Sequence, residues 1–187
     1  MRRVVLASGN AGKLSEMRDI LAGRGLEVVA QAELGIVPPP ENGDSFAANA
    51  LIKARHAAAA SGLPAIADDS GLEIDALGGR PGLHSARWAG PDADDRANNV
   101  KLMTELAGAP EAARGADDPQ PIVAEARWPG RIAFEARGAG GFGYDPWFIP
   151  AGGSRTAAEM PAAEKNRVSH RGQALAALAA RMREAGW

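Results

Sequence analysis

Apolar and polar positions change their spacing several times along the chain, and each change marks a structural element. Residues 3–7 form a short apolar run, a glycine-punctuated turn follows, and Leu14, Met17, Ile20 and Leu21 then recur at the spacing of one helix face. Gly23 and Gly25 stop that helix. Strand, glycine loop and helix in this order aim helix N-terminal amides at an anion. Residues 37–40 are a proline-rich connector ending in Glu41-Asn42-Gly43, after which Asp44 or Ser45 can cap an alanine-rich helix over 46–60. Residues 64–67 and 72–77 read as strands on either side of an Asp-Asp-Ser-Gly turn, the second alternating Leu72, Ile74 and Ala76 against Glu73 and Asp75. Residues 78–90 read as an irregular glycine-rich loop. Asp92 or Asp94 then opens a helix that turns Val100, Met103 and Ala107 inward, together with Leu102 and Leu106.

Further on, residues 122–128 and 131–137 read as two strands of a hairpin about the Pro129-Gly130 turn. A glycine loop over 138–143 and a short strand over 147–149 follow. From Ser169 the chain turns helical, with Leu175, Leu178 and Met182 spaced for one buried stripe. Strands alternate with helices early and a hairpin comes late, which predicts an α/β fold on a mixed sheet, not a purely parallel one. There are no internal repeats and no low-complexity tails.

Length allows one domain, or one domain with two lobes, across all 187 residues. A hydrophobic content of 45% excludes a disordered chain. With 21 basic against 23 acidic residues, the net charge of −2 argues against general nucleic-acid binding, which relies on a basic face to displace counterions. The absence of cysteine excludes disulfides, thiolate zinc sites and cysteine nucleophiles. No apolar stretch approaches membrane-spanning length, and "MRRVVLASGN" lacks the longer apolar core of a signal peptide, so a soluble cytoplasmic protein is expected.

Chemistry concentrates in a few segments. Asp68 and Asp69 stand where an apolar run ends and the turn through Ser70 begins. Twin acids there suit a hard cation such as Mg²⁺, which takes oxygen ligands and shares them with substrate phosphates. They would repel each other unless a cation or hydrogen bonds intervene; an Asx-turn with both acids in water is the plainer alternative. The run Ser8-Gly9-Asn10-Ala11-Gly12-Lys13 is too short for the phosphate loop G-x-x-x-x-G-K-[ST], yet it offers the same amides and a lysine. Lys13 in a first helical turn opposes the helix dipole unless an anion compensates it. Glu41 precedes the next helix, and Lys53 lies on that helix amid alanines; each also reads as an ordinary solvated charge. Phe142 and Tyr144 in a glycine loop suit stacking on a base, or plugging a hairpin. Lys165, Ser169, His170 and Arg171 gather positive groups and an imidazole at a helix start, which is unfavourable without a nearby anion.

The segments "LASGNAGK", "ENGDSFAANALIKARHAA", "PAIADDSGLEIDALGGRPGLHSARWAG", "GGFGYDPWF" and "TAAEMPAAEKNRVSHRGQAL" together resemble the inosine triphosphate pyrophosphatase family, the Ham1/RdgB-like purine nucleoside triphosphate pyrophosphatases. They follow in family order over nearly the whole chain, and "ADDSGL", "GFGYDP" and "SHR" are its most specific parts. The resemblance implies an elongated mixed β-sheet flanked by helices in the Maf/Ham1-like manner, two lobes with a central cleft, and a homodimer. It implies Mg²⁺-dependent hydrolysis of ITP, dITP and XTP to the monophosphate and pyrophosphate. In that scheme Glu41 and Asp69 hold the metal with Asp68 in or near its shell, and Asp69 orients or deprotonates the attacking water. Ser8, Gly9, Asn10, Ala11, Gly12, Lys13, Lys53 and Lys165 neutralise phosphate charge. Ser70, Phe142, Gly143, Tyr144, Asp145, His170 and Arg171 complete the substrate contacts, with Phe142 stacking on the purine and His170 and Arg171 meeting its edge.

One departure from the family pattern stands out. A hydrophobic strand is expected after the helix that ends near Ala107, but "PEAARGADDPQP" over 110–121 has no apolar run, as though a strand's length of about a dozen residues were missing between Arg114 and Gly115. Either the strand is truly absent, or the sequence closes over omitted residues, which a Cα separation well beyond ~3.8 Å across Arg114 and Gly115 would reveal. Two other functions remain open on the residues alone: a Maf-like pyrophosphatase of other modified nucleotides, and, if the strand is truly lost, a non-catalytic nucleotide-binding protein.

Overall fold

The computed structural model describes residues 2–107, 115–117, 120–122 and 124–184. In chain order the elements are β1 (Arg2–Ala7), α1 (Ala11–Leu21), β2 (Leu26–Ala30), α2 (Phe46–Ser61), β3 (Ala65–Ala67), β4 (Glu73–Ile74), β5 (Arg80–Pro81), α3 (Asp95–Glu105), β6 (Gly115–Asp117), β7 (Gln120–Ile122), β8 (Ala124–Ala126), β9 (Gly130–Ile132), β10 (Phe148–Pro150), α4 (Ala162–Val168) and α5 (His170–Glu184). They fall into two compact units. The first gathers Met1–Asp69, Gln120–Ala126 and Arg171–Trp187, and the second Ser70–Pro119 and Arg127–His170.

In the first unit a parallel sheet runs in the order β2-β1-β3, with Val4 opposite Val28 and Leu6 opposite Ile66. Val4, Val5, Leu6 and Ala7 are all buried, as a central parallel strand covered on both faces requires. Val4 and Leu6 pack with Met17 and Leu21 of α1 and Leu175 of α5. Val5 and Ala7, on the opposite face, pack against Ala50 and Ala57 of α2. Small residues there let the α2 backbone approach the strand, and Ser45 caps the helix by accepting from the Ala48 N–H at 3.2 Å. β7 and β8 pair antiparallel within this unit.

The second unit is built on an antiparallel sheet in the order β10-β9-β6-β4-β5. Ile74, Ile132 and Phe148 from its strands pack with Leu102 and Leu106 from the α3 region and with Trp128. The α/β class and the mixture of parallel and antiparallel pairing agree with the sequence pattern, with the two kinds of pairing in separate sheets.

Several local expectations are corrected. The stretch 72–77 is a strand only at Glu73–Ile74; Asp75–Leu77 turns into a 3-10 helix, which buries Leu77 and exposes Ala76. Residues 78–90 contain β5 and a 3-10 helix over Gly82–Arg87. Asp94 caps α3, but Val100 points to solvent at 61% exposure while Leu102 and Leu106 are fully buried. The expected hairpin over 122–137 does not form. β8 pairs with β7, and β9 pairs with β6 and β10. β2 and α4 were not anticipated. β6, made of Gly115-Ala116-Asp117, stands between β9 and β4 in the stretch that carries no apolar run. The separation of Arg114 from Gly115 lies outside the described residues. Among those residues, no helix is long and apolar enough to cross a membrane.

The register of α3 predicts a sharp contrast. Leu102→Ala should lower the stability of the chain by about 2–5 kcal/mol through the cavity it opens, whereas Val100→Ala should stay within about 0.5 kcal/mol. Urea unfolding of both variants checks this, and equal losses would refute the register.

Candidate active site

In the first unit, the turn after β1 is a tight strand-to-helix connection closed by its own side chains. The Asn10 N–H donates to Ser8 Oγ at 3.2 Å, and Asn10 Oδ1 accepts from the Lys13 N–H at 2.9 Å, which caps α1. Ser8 is buried, Gly9, Asn10 and Ala11 are exposed, and Gly12 is half-buried. Lys13 extends from the first turn of α1 to Asp68 Oδ2 at 2.8 Å. Asp68, 1% exposed just beyond β3, also receives Arg171 from the start of α5 at 3.2 Å. The second guanidinium nitrogen of Arg171 donates to Glu16.

Asp69, the next residue, has a different cation. The Lys53 ammonium, buried on the alanine face of α2, donates to Asp69 Oδ1 at 2.8 Å and lies 3.2 Å from Glu41 Oε1. Glu41 stands in the connector before α2, where the Gly43 N–H donates to the buried Asn49 side chain at 2.8 Å and fixes the turn. The two adjacent acids therefore avoid mutual repulsion through separate counter-ions. Burying these charges without them would cost several kcal/mol per ion. Lys13, Lys53 and Arg171 face Asp68, Asp69, Glu16 and Glu41, so these seven groups carry one more negative than positive charge. Among the described residues no group of three or more His, Cys, Asp or Glu side chains is arranged to hold a metal. Glu41 and Asp69 offer carboxylate oxygens on either side of the Lys53 ammonium.

In the second unit the glycine loop over 138–147 carries the aromatic residues. Asp145 Oδ2 accepts from the Phe142 N–H at 2.7 Å and from Lys165 Nζ at 2.6 Å. The Lys165 ammonium lies 5.0 Å from the centre of the Phe142 ring, a cation–π distance. Gly141 has a φ of +71°, and a Cβ there would run into the Asp145 carboxylate, so glycine is required for this turn. The Tyr144 hydroxyl donates to the Ser85 carbonyl at 2.9 Å. Burial, and secondly the charge of Asp95, hold the phenol well above the usual tyrosine range, so it remains a donor. Ser70 is half-buried, and His170 is buried with its ring centre 6.2 Å from that of Trp128.

The residue types singled out from the sequence gather into two sets, but three partners differ from expectation. Lys53 is bound to the two carboxylates. Lys165, grouped above with the phosphate cations, pairs with Asp145 beneath Phe142. Arg171, expected at the edge of the base, joins Lys13 on Asp68. Glu16 was missed. It lies one turn after Lys13 on α1, and nothing in the sequence separates it from a solvated helix charge.

Residues 4–181 match the Ham1 family. The chain is 54% identical to a dITP/XTP pyrophosphatase of Xanthomonas oryzae pv. oryzae over 95% of this chain and 96% of the relative. It is 52% identical to one of Yersinia pseudotuberculosis over 99% of this chain and 100% of the relative. That second alignment spans 198 positions, more than the 187 residues of this chain, so part of the relative has no counterpart here. A HAM1 protein from Coxiella burnetii superimposes with a TM-score of 0.85 at 42% identity, over 98% of this chain and 100% of that one. With the family model matching residues 4–181, two relatives matching almost end to end and a solved structure of the same fold, this chain belongs to the Ham1 family.

Proposed function

We propose that this protein hydrolyses non-canonical purine nucleoside triphosphates, ITP, dITP and XTP, to the monophosphate and pyrophosphate, and so cleanses the nucleotide pool. The observation that carries this reading is the pair of carboxylates, Asp69 and Glu41, on one buried ammonium, beside an acid already satisfied by Lys13 and Arg171. It divides the twin acids by role. Asp68 is the counter-ion of two cations, and Asp69 is the acid that meets the reaction.

Glu41 and Asp69 fit Mg²⁺: both offer hard oxygens, and their common neighbour is already a cation. Mg²⁺ needs only one or two carboxylates together with substrate phosphates. When bound there, the ion would supply charge neutralisation to the phosphate oxygens. Lys53 donates to Oδ1 of Asp69, and the second carboxylate oxygen orients or deprotonates a water for in-line attack at the α-phosphorus. The oxygen of that water forms the new bond to phosphorus as the bond to pyrophosphate breaks. Lys13 moves from Asp68 to the phosphates, while Arg171 stays on Asp68 and keeps it compensated. The amides of residues 8–13 add donors at the helix start.

The residues of the second unit are assigned to the purine base. Phe142 stacks on the purine, with Lys165 and Asp145 beneath it fixing the ring. Hypoxanthine and xanthine carry an oxygen at position 6 where adenine carries an amino group, so a pocket lined with donors loses its partners when adenine enters. A single domain across the chain, a homodimer and a cytoplasmic location belong to the same proposal, supported by the family resemblance.

Ion-paired chromatography of products from ITP, XTP, GTP and ATP, with and without Mg²⁺, tests the reaction. Monophosphate and pyrophosphate should form from ITP and XTP in the presence of Mg²⁺; equal turnover of ATP would refute the base selection. Asp69→Asn should lower kcat by about 10²–10⁴, the usual worth of a positioned acid or base, and a wild-type rate would remove Asp69 from that role. Thermal unfolding separates the twin acids. Mg²⁺ at ten times its Kd should stabilise the wild type by about 1.4 kcal/mol, and Glu41→Gln should abolish that gain. Asp68→Asn should cost about 3 kcal/mol of stability by taking from Lys13 and Arg171 the buried carboxylate they share, yet retain the Mg²⁺ response.

A further inference from the structure

The loop that carries Phe142 is tied to α3 at one residue. The Gly143 N–H donates to Asp95 Oδ2 at 2.9 Å, and the Gly143 carbonyl accepts from Asn99 Nδ2 at 3.3 Å. Asp95 and Asn99 are four residues apart on α3, so both project from one face and grip both backbone polar groups of the same residue, one in the peptide before Gly143 and one in the peptide after it. Gly143 has a φ of +58° with open space where a Cβ would stand, so its backbone conformation, not packing, demands glycine. Beside this contact lies a groove of about 790 Å³ lined by Asn99, Val100, Met103, Phe142 and Trp147 among others. On this side the two hydrogen bonds join the loop to α3.

We propose that Asp95 and Asn99 are positioning residues for substrate selection: they hold Gly143, the residue after Phe142, so that the Phe142 ring presents a fixed face to the purine. This rests on the reading of Phe142 as the platform for the base. An acid in the first turn of a helix is favoured by the dipole alone, but here the Asp95 carboxylate is committed to the Gly143 N–H. Its effect acts through the ring and never touches the reacting phosphate. Stacking is equally present in the ground and transition states, so its loss raises KM and leaves kcat little changed.

The test is steady-state kinetics on dITP with Asp95→Ala, Asp95→Asn, Asn99→Ala, Phe142→Ala and the double variant Asp95→Ala/Phe142→Ala. Asp95→Ala should raise KM about ten-fold, as loss of a charge-assisted hydrogen bond allows, with kcat nearly unchanged. Asn99→Ala should shift KM in the same direction by less, since its bond is neutral and longer. Asp95→Asn retains an acceptor for the Gly143 N–H and should restore KM to near wild type. Once Phe142 is gone, Asp95→Ala should add nothing. Multiplying KM effects in the double variant, or failure of Asp95→Asn to rescue, would overturn the proposal. If the wild type releases no pyrophosphate from any triphosphate, the proposed reaction fails by itself. Amide exchange at Gly143 then decides the anchoring, with faster exchange in Asp95→Ala upholding it and unchanged exchange overturning it.

Discussion

The constraint on which the first unit depends is the burial of the Asp68 carboxylate. An ionised acid at 1% exposure cannot persist without positive partners, and here those partners come from opposite ends of the chain, Lys13 on α1 and Arg171 on α5. Satisfying one carboxylate therefore brings the end of β3 together with the starts of two helices. Glu16 completes the arrangement by taking the other side of the Arg171 guanidinium. With Asp68 compensated in this way, Asp69 is left to a separate cation, so neighbouring acids have different partners.

Local signals accounted for the parts of the fold that are decided locally. Ser45 and Asp94 cap helices where their side chains predict, because capping is settled within three residues. Pairing partners were not legible. β6 holds a middle position in its sheet with a Gly-Ala-Asp sequence that carries no strand pattern, and β8 turns back on β7 while β9 joins other strands. In α3, Val100 with Met103 and Leu102 with Leu106 both satisfy helical spacing, and only the sheet against which the helix packs decides that the leucines are inside. For the site, the residue types were legible and their partners were not. The ion pairs of Arg171, Lys165 and Lys53 join segments far apart in sequence, where periodicity carries no information.

The two sets of candidate residues are held by different forces. Around Asp68 and Asp69 the holding force is charge, with ion pairs at low exposure that are costly to break. Around Phe142 the loop is held by backbone groups donating to Asp145 and Asp95, by the Asn99 amide donating to Gly143 and by the Tyr144 hydroxyl donating to Ser85.

The contact of Leu175 with Val4 and Leu6 has a bearing on how the protein comes to be made. Strands β1 and β3 emerge early in synthesis with α1 to cover part of one sheet face, but the part that Leu175 covers stays open until α5 leaves the ribosome. Arg171 arrives with the same helix, so Asp68 also waits for half of its counter-charge. The nascent first unit must pass through translation of the whole second unit with apolar surface and a poorly compensated acid, an interval in which chaperone protection would matter most.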